Sequence, residues 1–176
     1  MKRMLIFALS ASGLLSLPTE AAVPLLTVDG MEGVHIGMTV KQAETVTGPL
    51  DVYYSEGPDS CGQAVPKKPW IAGVRFMIEN RRIVRIDIAQ DKPPAPRAIT
   101  SSDAGIQIGS TIAAVKRAYG NRLKIEQHPY DGDEGRRLVV RGRKPGREIL
   151  FETYRGRVTT FRAGLSRPVE YDEGCA

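Results

Sequence analysis

The sequence predicts an α+β protein: two tandem helix–antiparallel-strand repeats forming one sheet, with short helices packed on one face. Three observations carry this. The segment Gly33-Val34-His35-Ile36-Gly37-Met38-Thr39-Val40 is written again 72 residues later as Gly105-Ile106-Gln107-Ile108-Gly109-Ser110-Thr111-Ile112. Each copy runs eight residues further, with an apolar stripe at helical spacing, to a glycine, Gly48 or Gly120. After each helix come paired runs of alternating apolar residues that answer one another at an offset of 75. A repeat of this kind implies two copies of one supersecondary unit whose apolar faces must cover each other.

The chain opens with Met1-Lys2-Arg3, an apolar run from Met4 to Leu17, and Pro18-Thr19-Glu20-Ala21-Ala22. That is the charged head, short apolar core and small-residue exit of a signal peptide over 1–22, cut after Ala21 or Ala22. Roughly 14 apolar residues, interrupted by Ser10, Ser12 and Gly13, fall short of the ~20 that span a bilayer. No cysteine follows directly for lipid attachment. The expectation is a periplasmic or secreted protein, soluble after cleavage and not membrane-spanning.

The remainder divides into repeat unit 1 (23–90), a proline-rich linker (91–104), repeat unit 2 (105–164) and a C-terminal tail (165–176). Leu25 to Val28 reads as an edge strand before a turn at Asp29-Gly30. Thr39, with Gln42 three residues on, makes a capping box that satisfies two orphan N–H groups at a helix start. Val40, Ala43 and Val46 form the stripe, and Gly48-Pro49 ends it. In the second copy Thr111 is the cap, Ile112, Val115 and Tyr119 the stripe, and Gly120 the stop. Helices of two turns are unstable alone in water and must be held by a sheet.

Alternation supplies that sheet. Val74, Phe76 and Ile78, then Val84, Ile86 and Ile88, make a hairpin around Glu79-Asn80-Arg81. Ile149, Phe151 and Thr153, then Thr159, Phe161 and Ala163, repeat it. Asp51 to Ser55, Leu123 to Gln127 and Arg136 to Arg141 read as further strands. Asp91-Lys92-Pro93-Pro94-Ala95-Pro96 cannot continue a ladder, since proline lacks the N–H. Gly57 to Pro69 reads as a long loop, and the tail as irregular chain pinned only by Cys175. Cys61 and Cys175 are the two cysteines of the chain, and an exported protein would join them. Closing a loop of ~100 residues is worth roughly 4.7 kcal/mol in the chain-entropy model.

Catalytic spacings are absent from the sequence: no His-Glu-x-x-His, no Gly-x-Ser-x-Gly, no Walker loop and no Cys-x-x-Cys. His35 reads as a solvent-facing strand residue and His128 as a loop-rim residue. Asp131-Gly132-Asp133-Glu134-Gly135 resembles the start of a calcium loop, but the twelfth position is Gly142 where a bidentate glutamate is needed, so a polar hairpin turn is the reading. The expectation is a protein that is not an enzyme and takes no cofactor or metal.

Charge points to binding. The chain has 25 Lys and Arg against 20 Asp and Glu, a formal net charge of +5. From Arg122 to Arg167 there are twelve basic residues against six acidic ones. Arginine forks bind carboxylate, sulfate and phosphate in pairs. Arg136, Arg137, Arg141, Arg143, Lys144 and Arg147 are therefore the candidate surface, with Tyr53, Tyr54 and Trp70 as possible aromatic anchors near the cysteine loop. The implied partner is an acidic envelope protein or an anionic glycan or lipid headgroup rather than nucleic acid. The competing account is that these cations solvate the outer face of a sheet and protect its edges.

The two Gly-to-Thr segments resemble the helix-entry motif of the small envelope-protein fold shared by the SmpA/BamE outer-membrane assembly lipoproteins and the secreted β-lactamase inhibitory protein. The resemblance covers roughly 33–90 and 105–164. It implies helices on an antiparallel sheet and a binding role without catalysis, and it transfers no functional residue. An exported binding module is the first functional expectation, and a proteinaceous inhibitor of a secreted hydrolase the second.

Overall fold

The computed structural model describes residues 23–57, 59–68, 70–89 and 100–175. The expected signal peptide and the proline run at 93–96 lie outside the described residues. The elements are β1 (Leu25–Thr27), β2 (Gly30–Met31), β3 (Val34–His35), α1 (Val40–Thr47), β4 (Leu50–Tyr54), β5 (Gly62–Pro66), β6 (Val74–Glu79) and β7 (Arg82–Ala89). They continue with β8 (Ser101–Ser102), α2 (Ile112–Tyr119), β9 (Leu123–Gln127), β10 (Gly135–Arg141), β11 (Arg147–Tyr154), β12 (Arg157–Leu165) and α3 (Ser166–Glu170). Among the described residues, no helix is long and apolar enough to cross a membrane.

This is a mixed α+β architecture, with two sheets where one was expected. The larger has the order β4-β5-β6-β7-β12-β11-β10-β9, and the smaller the order β3-β2-β1-β8. The small sheet exists because Leu26, Met31 and Val34 must be buried, yet two- and three-residue strands cannot bury them alone. They lie over the large sheet and share one apolar cluster with it. Part of the expected linker joins in, since Ser101 and Ser102 pair in parallel with Leu25 and Leu26.

Both helices begin as their caps require. Gln42 N–H donates to Thr39 Oγ1 at 3.2 Å while Thr39 N–H donates to Gln42 Oε1 at 2.9 Å, and Ala114 N–H donates to Thr111 Oγ1 at 3.2 Å. The stripe of α1 differs from the expected one. Val46 is 37% exposed and Thr47 is buried, its hydroxyl satisfied by the carbonyls of Ala43 and Gly48.

The Gly-to-Thr segments meet the large sheet through matching contacts. Gly37 N–H donates to Ile83 O and Gly109 N–H to Val158 O, both at 2.7 Å. Arg82 Nη1 reaches Gly37 O at 2.8 Å, and Arg157 Nη1 reaches Gly109 O at 2.9 Å.

The two long hairpins are each bulged, which simple alternation misses. The register slips between Met77 and Ile78 in one and between Glu152 and Thr153 in the other. Each slip turns one residue of the return strand, so Ile83 and Val158 enter the core where Val84 and Thr159 were expected. Bulges also sharpen the twist of a sheet, which suits one that must wrap over helices. Two further expectations are corrected. The loop from Gly57 to Pro69 contains a strand, β5, since Gly62 and Ala64 pack flat beside β6. The tail contains α3 and is held by many contacts besides Cys175.

The middle of the large sheet is the antiparallel pair β7–β12, in which Gly164 faces Arg85 and Phe161 faces Ile88. At Gly164 φ is 153°, and an added Cβ would stand 2.2 Å from Val84 O. At Gly156 φ is 77° and the space beyond is open. Gly156→Ala should cost about 1–2 kcal/mol, the left-handed backbone term alone. Gly164→Ala should cost clearly more, because backbone must move at the centre of the sheet. Urea unfolding of the two variants checks the order.

Candidate functional site

A pocket of about 430 Å³ opens between the β1–β2 turn, the C-terminal end of α2 and the β10–β11 hairpin. Its floor is apolar, formed by Val28, Val140, Ile149 and the Tyr119 ring. Tyr119 is the last residue of α2 and is buried. Its hydroxyl donates towards Ser102 Oγ at 2.8 Å and Asp103 Oδ1 at 3.2 Å. Burial first, and then the neighbouring Asp103, pushes the Tyr119 phenol well above its ordinary pKa, so it is a fixed neutral group.

The rim is basic. Arg122, Arg141, Arg143 and Lys144 line it, against Asp29 and Asp103. The Arg122 guanidinium sits 5.4 Å from the Tyr119 ring centroid, a cation–π arrangement that holds it over the floor. Lys144 Nζ is 2.9 Å from Asp29 Oδ2, and Arg147 Nε is 3.5 Å from Asp29 Oδ1. Asp29 thus draws two cations from the hairpin onto the β1–β2 turn. Arg147 keeps a buried Nη1 with no hydrogen-bond partner.

The six basic residues singled out in the sequence do not share a face. Strand parity puts Arg136 with Leu138 and Val140 on the side of the apolar core, and Arg137 with Val139 and Arg141 on the other. Arg136 folds back onto the carbonyls of Gly132, Asp133 and Gly135 at 3.4, 3.0 and 2.6 Å. The pocket gathers Arg141, Arg143 and Lys144, with Arg147 beside them through Asp29. Tyr53 is 65% exposed on the edge strand β4. Tyr54 turns inward over Gly62, and Trp70 packs against the core with its ring 6.0 Å from Phe76. His35 is exposed. His128, expected at a loop rim, is buried: its Nδ1 accepts the N–H groups of Tyr130 and Asp131, both at 3.3 Å, and so closes the β9–β10 connection.

A second constellation lies on the outer face of the large sheet and, apart from Arg137 of the charge run, carries no sequence signal beyond alternation. Arg85 and Arg162 project from the paired strands β7 and β12, with side chains 6% and 7% exposed, and Arg137 projects from β10 at 14%. Residues 166–175 run over them. Arg85 Nη1 donates to Pro168 O at 2.6 Å and Tyr171 O at 2.9 Å. Arg162 Nε donates to Val169 O at 2.6 Å, and Arg137 Nη2 to Glu170 O at 3.3 Å. Asp172 Oδ1 receives Arg162 Nη2 at 3.0 Å and lies 3.5 Å from Arg137 Nε. Asp87 pairs with Arg85, and Glu152 with Arg162. Val169 plugs a small apolar patch of Val139 and Leu150. Beyond it, Cys175 is disulfide-bonded to Cys61, with their Cα atoms 5.3 Å apart.

Fold and site together define a class, an α+β protein with a basic-rimmed pocket and a C-terminal segment strapped over buried arginines. Compared with protein-family models, curated proteins and solved structures, the chain matches none.

Two carboxylates under the strap should respond to acid in opposite directions. Burial raises the Glu152 pKa, but the Arg162 charge and hydrogen bonds from Thr160 and Arg162 outweigh it and hold it below the ordinary 4.5. Its stabilising contribution is therefore present above that value and lost as pH falls through the lowered one. Glu148 is held above 4.5, by burial and then by Glu170, and its Oε2 is buried without a partner. Its charge penalises folding at neutral pH, and protonation removes the penalty. Glu152→Gln should lower Tm at pH 7, and Glu148→Gln should raise it. The Glu148 difference should shrink as pH falls from its raised pKa towards ~4.5, and the Glu152 difference only as pH falls below ~4.5, as melting curves across pH will test.

Proposed function

We propose that this is an exported, non-catalytic binding module of the bacterial cell envelope, periplasmic or secreted, that recognises an acidic protein surface or an envelope polyanion or glycan. The observation that supports this most is the pocket rim, where Arg122, Arg143 and Lys144 stand over an apolar floor and Arg141 adds its charge from the base of the hairpin. Cations at the mouth attract an acidic chain over a screening length of ~10 Å, and the floor accepts an apolar portion of the same ligand. We read the two Gly-to-Thr segments, with their matching docking contacts, as the products of a duplicated unit, in keeping with the resemblance to the SmpA/BamE lipoproteins and the β-lactamase inhibitory protein.

The test is retention on a sulfated glycan and on poly-glutamate. The wild-type chain should bind both, more weakly as salt rises. Reversing Arg141, Arg143 and Lys144 to Glu should weaken binding at least tenfold, since a single charge-assisted contact is worth ~1.5–3 kcal/mol. Unchanged binding by the reversed variant, with its circular dichroism intact, would overturn the reading.

One observation favours an inhibitor as the second reading. Tyr53 is 65% exposed on an edge strand, and the adjoining loop is braced by the Cys61–Cys175 bond and by Ser55 and Ser60. A braced loop beside an aromatic anchor suits insertion into a cleft. Under this reading, excess protein should inhibit at least one secreted β-lactamase, lysozyme or protease, and Tyr53→Ala should weaken that inhibition.

A further inference from the structure

The outer-face arginines are arranged as a reader of peptide chain rather than as a packing surface. Five consecutive residues, 168–172, each take a hydrogen bond or ion pair from Arg85, Arg137 or Arg162. Four of these contacts are to backbone carbonyls, which any peptide carries, and the fifth is to a carboxylate. Guanidinium forks held this way keep their orientation, so a chain laid across them binds without first ordering its receptor. The apolar share of the contact is small and centres on Val169.

Buried cations impose a condition. An arginine left dry without an acceptor is strongly destabilising, so the track must always hold either a chain or water. Residues 166–175 meet that condition at present, and the disulfide to Cys61 secures their far end.

We propose that this track is a docking groove for an acidic peptide segment of a partner protein, that residues 166–175 are its resident occupant, and that the Cys61–Cys175 bond decides whether the occupant can leave. The site is separate from the basic-rimmed pocket and stands whether or not that pocket binds polyanions. Both sulfur residues are partly exposed, so a dithiol can reach them. One thiolate of the dithiol attacks a cysteine Sγ and the Sγ–Sγ bond breaks. The second thiolate then resolves the mixed disulfide, so the dithiol becomes a disulfide while Cys61 and Cys175 take two electrons and two protons between them. Reduction alone frees only one end. The segment still continues directly from β12, so its effective concentration stays high and an incoming peptide binds in proportion to the open fraction.

The test therefore weakens the occupant in steps, in the full-length chain. A fluorescein-labelled peptide of residues 166–175, with Cys175 replaced by Ser, is titrated against oxidised wild type, Cys175→Ser, and Cys175→Ser with Asp172→Ala. Binding should be undetectable in the first and should tighten at least tenfold from the second to the third. Adding Arg137→Gln should remove most of it. Hydrogen exchange on the same samples should show 166–175 opening in that order. The proposal is overturned if the segment stays as protected in the double variant as in the oxidised chain. It is equally overturned if the segment opens but the peptide does not bind. Dimerisation of the opened chain without peptide binding would assign the groove to tail exchange between copies and overturn it as well.

Discussion

The structure depends on the pairing of β7 with β12. Neither helix exceeds eight residues, and helices of that length do not persist without a surface to lie on. Each run of four strands offers half of such a surface. Pairing the last strand of each run places Ile86 beside Ala163 and Ile88 beside Phe161, and fuses the halves into one eight-stranded sheet. Phe161 then stacks on Phe151 at 5.6 Å, and Phe151 meets Tyr119 of α2 at 5.7 Å, so the seam is continuous with the helix layer. Gly164 lets the two backbones approach where any side chain would collide with Val84.

The same seam explains why the outer face differs from the inner one. Strand alternation that sends Ile86 and Ile88 inward sends Arg85 and Asp87 outward, and does the same with Arg162 beside Phe161 and Ala163. Two arginines thus meet at the centre of a broad sheet, where a covering segment removes them from water. Their charge is matched by Asp87, Glu152 and Asp172, and their remaining donors by carbonyls of the C-terminal segment. Lysine would not serve as well there, because its single ammonium cannot reach a carboxylate and a carbonyl along fixed planar directions.

Much of the fold is legible in the sequence because it follows from local chemistry. Thr39 and Thr111 announce the helices, Gly48 and Gly120 end them, and Leu123 to Gln127 forms its strand as alternation predicts. The two bulges are not legible, since Ile83-Val84 and Val158-Thr159 each offer two residues that fit a strand equally well. Only the partner strand decides which one turns inward. The strand β5 is hidden for another reason: Gly62 and Pro66 at its ends are turn formers, and it forms because β4 and β6 both need a neighbour. The pocket was half legible. Arg141, Arg143 and Lys144 stand out as a charge run, but Asp29, Asp103 and Arg122 come from distant segments that only the tertiary fold brings together. Arg137 stood in the charge run, but the burial of Arg85 and Arg162 gave no sign, because in alternation a polar residue between apolar neighbours reads as facing water.

Burial separates the two sets of cations in what they can do. Lys144 is 70% exposed and keeps most of its hydration, so its attraction for an anion is long-ranged and weakened by salt. Arg85 and Arg162 are covered by the C-terminal segment, so a ligand meeting them must displace that segment or the water that replaces it, and gains directional hydrogen bonds at short range in return. The rim therefore suits capture of a polyanion whose detailed sequence is unimportant. The track suits one chain at a time, lying in one register, because each guanidinium offers its donors at a fixed place along the peptide.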